Sequence, residues 1–99
     1  MNVDAGSYTP EAYMEALQAA GFPPPVPLER DASYAIDVHT HPFEAWGLVL
    51  EGEFVIEVDG VANRFPAGRS FRLPAGIAHK EWVGPQGARY LAGRKEQAA

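Results

Sequence analysis

The chain has no cysteine, which removes disulfide cross-links and thiolate metal sites together, so any metal must be held by histidine or carboxylate. Positive charge is also scarce. Eight Lys and Arg stand against thirteen Asp and Glu, giving a net charge of −5 and a pI near 5.0. That balance argues against nucleic-acid partners, whose binding domains cluster Lys and Arg. No apolar run approaches the roughly 20 residues of a membrane span. The opening Met1-Asn2-Val3-Asp4 lacks the basic and then apolar pattern of a secretory leader. The expectation is a cytoplasmic protein with no membrane partner. With 99 residues there is room for one core, and none for a separate DNA-reading helix pair.

Glycine (10) and proline (9) are plentiful, which points to many turns and so to β structure. The first third is different. Thr9-Pro10-Glu11 reads as a helix start, with Thr9 as N-cap, proline at the first helical position and an acid in the first turn. Tyr13, Met14, Leu17 and Ala20 then share one helical face, and Gly21 is the C-terminal cap. Phe22-Pro23-Pro24-Pro25-Val26-Pro27 excludes helix interior and central strand, which predicts an extended connector.

From Ser33 the period changes to two. Tyr34, Ile36 and Val38 alternate with Ala35, Asp37 and His39, and short strands follow at Trp46–Leu50, Phe54–Val58, Val61–Phe65 and Arg69–Leu73. Glu51-Gly52, Pro66-Ala67-Gly68 and Pro74-Ala75-Gly76 read as turns, and Asp59-Gly60 is a strong tight-turn signal. Ile77–Val83 and Ala88–Ala92 are the last two predicted strands, ahead of a polar, frayed tail at Gly93–Ala99. Many short strands at close spacing predict an all-β barrel or sandwich with one short N-terminal helix. The organisation expected is 1–32 for helix and connector, 33–92 for the barrel and 93–99 for the tail.

His39 and His41 lie two apart on a predicted strand, so both leave the same face and can supply adjacent ligands to one metal. Alone, the pair also fits a strand that buries Tyr34, Ile36 and Val38 and leaves both imidazoles in solvent. The third histidine tips this balance. Gly68 to His79 reads Gly-x5-Pro-x-Gly-x2-His, where glycine and proline turn the chain and set the register of the strand carrying His79.

These segments resemble the two motifs of the cupin family. His39-Thr40-His41-Pro42-Phe43 with Val49-Leu50-Glu51-Gly52-Glu53-Phe54 is similar to the first motif, and Gly68-x5-Pro74-x-Gly76-x2-His79 to the second. The resemblance spans roughly residues 33 to 92. It implies a jelly-roll β-barrel, and metal ligation by His39, His41 and His79. Three positions depart from the family pattern: Ser33 for a glycine, Ala45 for a metal-binding glutamate, and Val83 for a frequent asparagine. Glu44 is one place early, and a one-residue shift on a strand points a side chain to the other face.

A three-histidine site suits one divalent transition metal, whether Fe, Zn, Ni or Cu, better than Mg or Ca. With only neutral ligands the metal would keep its full charge and favour an anionic or enolisable small molecule. Ala45 and Gly47 share a face and would leave space where the glutamate is missing. Other candidates are Glu81 as base, carboxylate ligand or solvated residue, Asp37 as a hydrogen-bond partner to a ligand histidine, and Phe43, Trp46 and Trp82 as pocket or core. Arg64, Arg69, Arg72 and Arg89 are expected on the surface. The functional reading is a metal-dependent small-molecule enzyme, a dioxygenase or a Lewis-acid isomerase or lyase. The alternative is a non-catalytic binding or sensor module, since such barrels host both. A homodimer is expected, because sheet edges need cover and the stripes Tyr34/Ile36/Val38 and Phe54/Ile56/Val58 exceed what one small barrel needs inside.

Overall fold

The computed structural model describes residues 1–96. The elements in chain order are β1 (Asp4–Ser7), α1 (Pro10–Ala19), β2 (Val26–Arg30), β3 (Ala35–His39), β4 (Phe43–Val58), β5 (Val61–Pro66), β6 (Arg69–Leu73) and β7 (His79–Glu96). Two long antiparallel strands dominate. β4 and β7 pair from Phe43↔Glu96 to Glu57↔Lys80, with register shifts at Val49/Glu51 and Gly52/Phe54. On one side of the shifts, β4 pairs with β6 and β6 with β1, while β7 pairs with β2. On the other side β4 pairs with β5 and β7 with β3. The two long strands therefore pass from one layer into the other, and the layers face each other as a jelly-roll barrel.

The shifts explain why two expected strand breaks are absent. Glu51-Gly52 is a bulge rather than a turn, and the two strands expected within 77–92 are one continuous β7. Gly52 and Gly87 both adopt positive φ (75° and 77°), and a Cβ on Gly52 would lie 2.1 Å from the Gly87 carbonyl oxygen. Backbones that approach so closely can bend together without losing their pairing, which requires glycine at the contact. Asp59-Gly60 does form the tight hairpin turn, with both residues at positive φ and Val58 paired to Val61.

Three further differences concern the ends. The proline-rich connector yields at Val26 to β2, whose edge position tolerates Pro27. The segment expected to fray is strand as far as Glu96, because Phe43–Trp46 pairs with Gly93–Glu96; residues 97–99 lie outside the described residues. Asp4–Ser7, not anticipated as a strand, covers the edge of β6.

Helix α1 forms as its sequence dictates. The Thr9 hydroxyl accepts from the Ala12 amide at 3.2 Å, Pro10 opens the helix, and Gly21 at φ 80° lets the Phe22 amide return to the Leu17 carbonyl. Tyr13 and Leu17 are buried with Phe22, Trp46 and Leu48 on the outer face of the β4/β7 layer, whereas Met14 turns to solvent. The Tyr13 hydroxyl donates to the Trp46 carbonyl at 2.5 Å, and burial raises its pKa so that it remains a neutral donor. The larger cluster lies between the layers and includes Val49, Phe54, Ile56, Val58, Phe65 and Tyr90. No helix among the described residues is long and apolar enough to cross a membrane.

Candidate metal centre

The site begins with a fault in alternation. Tyr34 and Ile36 point into the barrel, and strict alternation would send Val38 after them and His39 outward. Between Ile36↔Glu81 and His39↔His79, however, the β3–β7 register shifts by one residue. This bulge turns His39 to the same face as Tyr34 and Ile36, and leaves Val38 61% exposed. The face of β3 toward the cavity therefore carries Tyr34, Ile36 and His39, while Val38, expected with Tyr34 and Ile36, turns to solvent and Ile36 stays 40% exposed. His41 follows two residues later, and the Gly76 amide donates to its carbonyl at 2.9 Å, tying the second motif's turn to the first motif's histidines.

His39, His41, His79 and Glu81 each offer a ligand atom, and these atoms lie within 4.8 Å of one another. His79 is almost fully buried, at 3% exposure. The imidazole centroids are 4.3 to 5.0 Å apart. His39 Nδ1 lies 2.7 Å from the Asp37 carbonyl, and His79 Nδ1 lies 2.9 Å from the Ile77 carbonyl. A carbonyl oxygen only accepts, so each Nδ1 carries a hydrogen, and in the neutral imidazole Nε2 then presents its lone pair inward.

Those lone pairs face an acceptor. Glu81 Oε1 lies 2.9 Å from His39 Nε2, 3.3 Å from His79 Nε2 and 3.8 Å from His41 Nε2. Neutral imidazoles and a carboxylate oxygen at these distances repel unless a proton or a metal ion lies among them. Protonating adjacent imidazoles would crowd like charges, and burial and the neighbouring histidines hold the His41 pKa below its usual value. The donor set therefore fits a divalent transition metal: three imidazole nitrogens, two of them on rings oriented by backbone carbonyls, and one carboxylate.

The cluster lies in the wall of a cavity of about 280 Å³, near the lower end for small-molecule pockets. Its apolar surface comes from Leu28, Phe54, Ile56, Phe71 and Leu73 among others. Phe43 stacks on His41 with centroids 4.7 Å apart.

The family comparison agrees with this geometry. The model of the cupin domain matches residues 31–92. The chain belongs to the cupin family. No curated protein matches this cupin significantly. Among solved structures, it is similar to an RmlC-like cupin from Shewanella frigidimarina, with 30% identity and a TM-score of 0.64 over 74% of this chain and 65% of that one. A conserved protein of unknown function from Streptococcus pyogenes is 26% identical, with a TM-score of 0.62 over 70% of this chain and 60% of that one. This chain thus spans less than two thirds of either relative. The EutQ protein of Clostridium difficile shares the fold at 17% identity, with a TM-score of 0.67 over 94% of this chain and 66% of that one.

In this cupin a carboxylate joins the three histidines, that of Glu81, one of the roles its place two residues from His79 offered. Ala45 lines the cavity, while Glu44, one place off, accepts from Arg72 Nε at 2.7 Å away from the cluster. The space expected beside Ala45 and Gly47 is filled on the Gly47 side, where a Cβ would lie 2.2 Å from the Phe71 ring. Asp37 contacts His39 through its backbone carbonyl rather than its carboxylate, which accepts from the Val38 amide. Trp46 borders the cavity, but its ring belongs to the core: it packs against Tyr13 and Phe22 under α1, and its Nε1 donates to Ser70 Oγ at 2.8 Å.

Three contributors escaped the sequence reading. The Tyr34 hydroxyl donates to Glu81 Oε2 at 2.8 Å, and Arg30 and Arg94 line the cavity. Burial and the Glu81 contact raise the Tyr34 pKa, keeping it a neutral donor. Alternation along Tyr90, Ala92 and Arg94 was a usable signal for Arg94, had the segment after Ala92 been read as strand.

Proposed function

We propose that this cupin is a metal-dependent small-molecule enzyme of the dioxygenase or Lewis-acid isomerase or lyase type, with His39, His41, His79 and Glu81 holding one divalent transition metal. The observation that carries the reading is the convergence of three imidazole nitrogens and one carboxylate oxygen within 4.8 Å of one another, in the wall of a largely apolar cavity. A bound Fe, Zn, Ni or Cu ion would supply Lewis acidity, or redox chemistry where the ion allows it. The chain's own residues do the remainder. The Asp37 and Ile77 carbonyls orient the imidazoles, Tyr34 orients Glu81, and the apolar walls restrict water. Glu81 would reduce the charge of a divalent site, leaving it still attractive to an anionic or enolised ligand.

Protein prepared without an affinity tag should contain close to one transition-metal ion per chain by elemental analysis, and His39→Ala or His79→Ala should abolish it. Equal absence of metal from wild type and variants under metal-replete conditions would sink the proposal. Oxygen uptake or product formation with 1,3-diketones, phenolic acids and thiol acids separates an enzyme from a sensor or carrier. Ligand that binds and is recovered unchanged supports the latter.

We also infer a cytoplasmic homodimer. Of the two stripes expected to be in excess, Phe54/Ile56/Val58 is core, but Ile36 and Val38 on β3 are 40% and 61% exposed. Among the described residues β3 pairs only with β7, which leaves its other edge open for a second copy.

A further inference from the structure

The cations of the molecule divide into two groups. Among the described residues, five of the eight Lys and Arg pair with a carboxylate. Lys95 instead donates to the Ala20 carbonyl at the end of α1. Arg30 and Arg94 have no carboxylate partner among the described residues, and these are the two that line the cavity. Strand alternation explains their placement. Arg30 follows Leu28 on the inner face of β2, and Arg94 follows Tyr90 and Ala92 on the inner face of β7.

Each guanidinium is one aromatic ring away from the cluster. The Arg30 guanidinium lies 4.8 Å from the Tyr34 ring centroid, and the Tyr34 hydroxyl reaches Glu81. The Arg94 guanidinium lies 4.9 Å from the Phe43 ring, which stacks on His41. Arg30 Nε is buried without a hydrogen-bond partner. A guanidinium facing the cavity without a directly paired carboxylate leaves donors to satisfy, and its planar fork is matched in shape and hydrogen bonding by a carboxylate. Contact with Tyr34 and Tyr90 steadies the Arg30 charge but leaves its Nε hydrogen without a partner.

We propose that the cavity binds a small organic anion whose carboxylate is read by Arg30, with Arg94 drawing the anion in from the solvent side. The metal reading above bears on this only in placing the ligand's second oxygen donor at the His/Glu cluster; the carboxylate preference stands on the two arginines. The cavity volume limits the ligand to metabolite size.

The test compares glutarate with its neutral analogue glutaramide by calorimetry, on Co(II)-loaded and on chelator-treated protein. Wild type should bind glutarate at least roughly tenfold more tightly than glutaramide. Arg30→Gln should bring the two within about twofold, Arg30→Lys should fall between, and Arg64→Gln on the outer surface should change neither. Arg94→Gln should chiefly slow glutarate association and lessen its salt dependence. Should Arg30→Gln fail to fold, Arg30→Lys and the wild-type discrimination still decide. Equal binding of the two probes, or no glutarate binding at about 10 mM, would overturn the proposal. Carboxylate preference in chelator-treated protein that takes up no Co(II) would refute the metal reading alone. Histidine-dependent Co(II) uptake without that preference would refute the anion proposal alone.

Discussion

Glu81 faces two demands that a bound metal ion would reconcile. Its Oε2 accepts from Tyr34 at 2.8 Å, while its Oε1 confronts the lone pairs of His39 and His79. An amide in the same place would meet every partner without a cation: its oxygen would accept from Tyr34 and its NH₂ would donate to both Nε2 atoms. Glu81→Gln is therefore expected to act in opposite directions on stability and binding. Metal affinity should drop by about tenfold or more, measured by competition with a chelator. The metal-free protein should gain roughly 1 kcal/mol, seen as a rise of several degrees in melting temperature. A variant that loses stability without metal would show that Glu81 and the imidazoles are already satisfied in some other way.

At the scale of elements, the N-terminal helix lies across the β4/β7 layer from the cavity, and its role is to close the outer face. Leu17 is 1% exposed and meets Gly93, where a Cβ would lie 3.0 Å from Leu17 Cδ2. Leu17→Ala should cost about 2–5 kcal/mol in denaturant unfolding through the cavity left behind. Metal stoichiometry should be unchanged, because no ligand touches the helix. Loss of metal in a folded Leu17→Ala protein would mean that the helix positions β4 as well as stabilising it. The β3 bulge works differently. One extra residue between Ile36 and His39 reverses the direction of every later side chain on the strand, so the site depends on a backbone irregularity as much as on the residues that bind.

For the whole molecule, the cations and apolar patches are sorted by location. Outer arginines pair with acids, inner ones face the cavity, and the exposed apolar residues of β3 lie at a free sheet edge. Light scattering should give a mass near twice the 10.7 kDa of the chain. Val38→Asp should shift the population to monomer by placing a charge at the edge proposed to receive the second copy. A wild-type monomer at about micromolar concentration would rule out the dimer.

Local patterns in the sequence determined a good deal: the helix from its caps, the strands from period two, the Asp59-Gly60 hairpin, and three histidines brought together by two motifs. They also excluded thiolate ligation, and alternation alone pointed Glu44 away from the site. Tertiary structure decided what depends on partners distant in the chain. Glu81 joins the cluster only because β7 lies beside β3. Gly52 bends rather than turns because Gly87 lies against it. Arg94 reaches the cavity because residues 93–96 pair with Phe43–Trp46, a partner fifty residues earlier in the chain. Periodicity fixes which face a side chain takes within an unbroken strand; it carries no information on where a bulge falls or which strand completes the ladder, since both are settled by long-range packing.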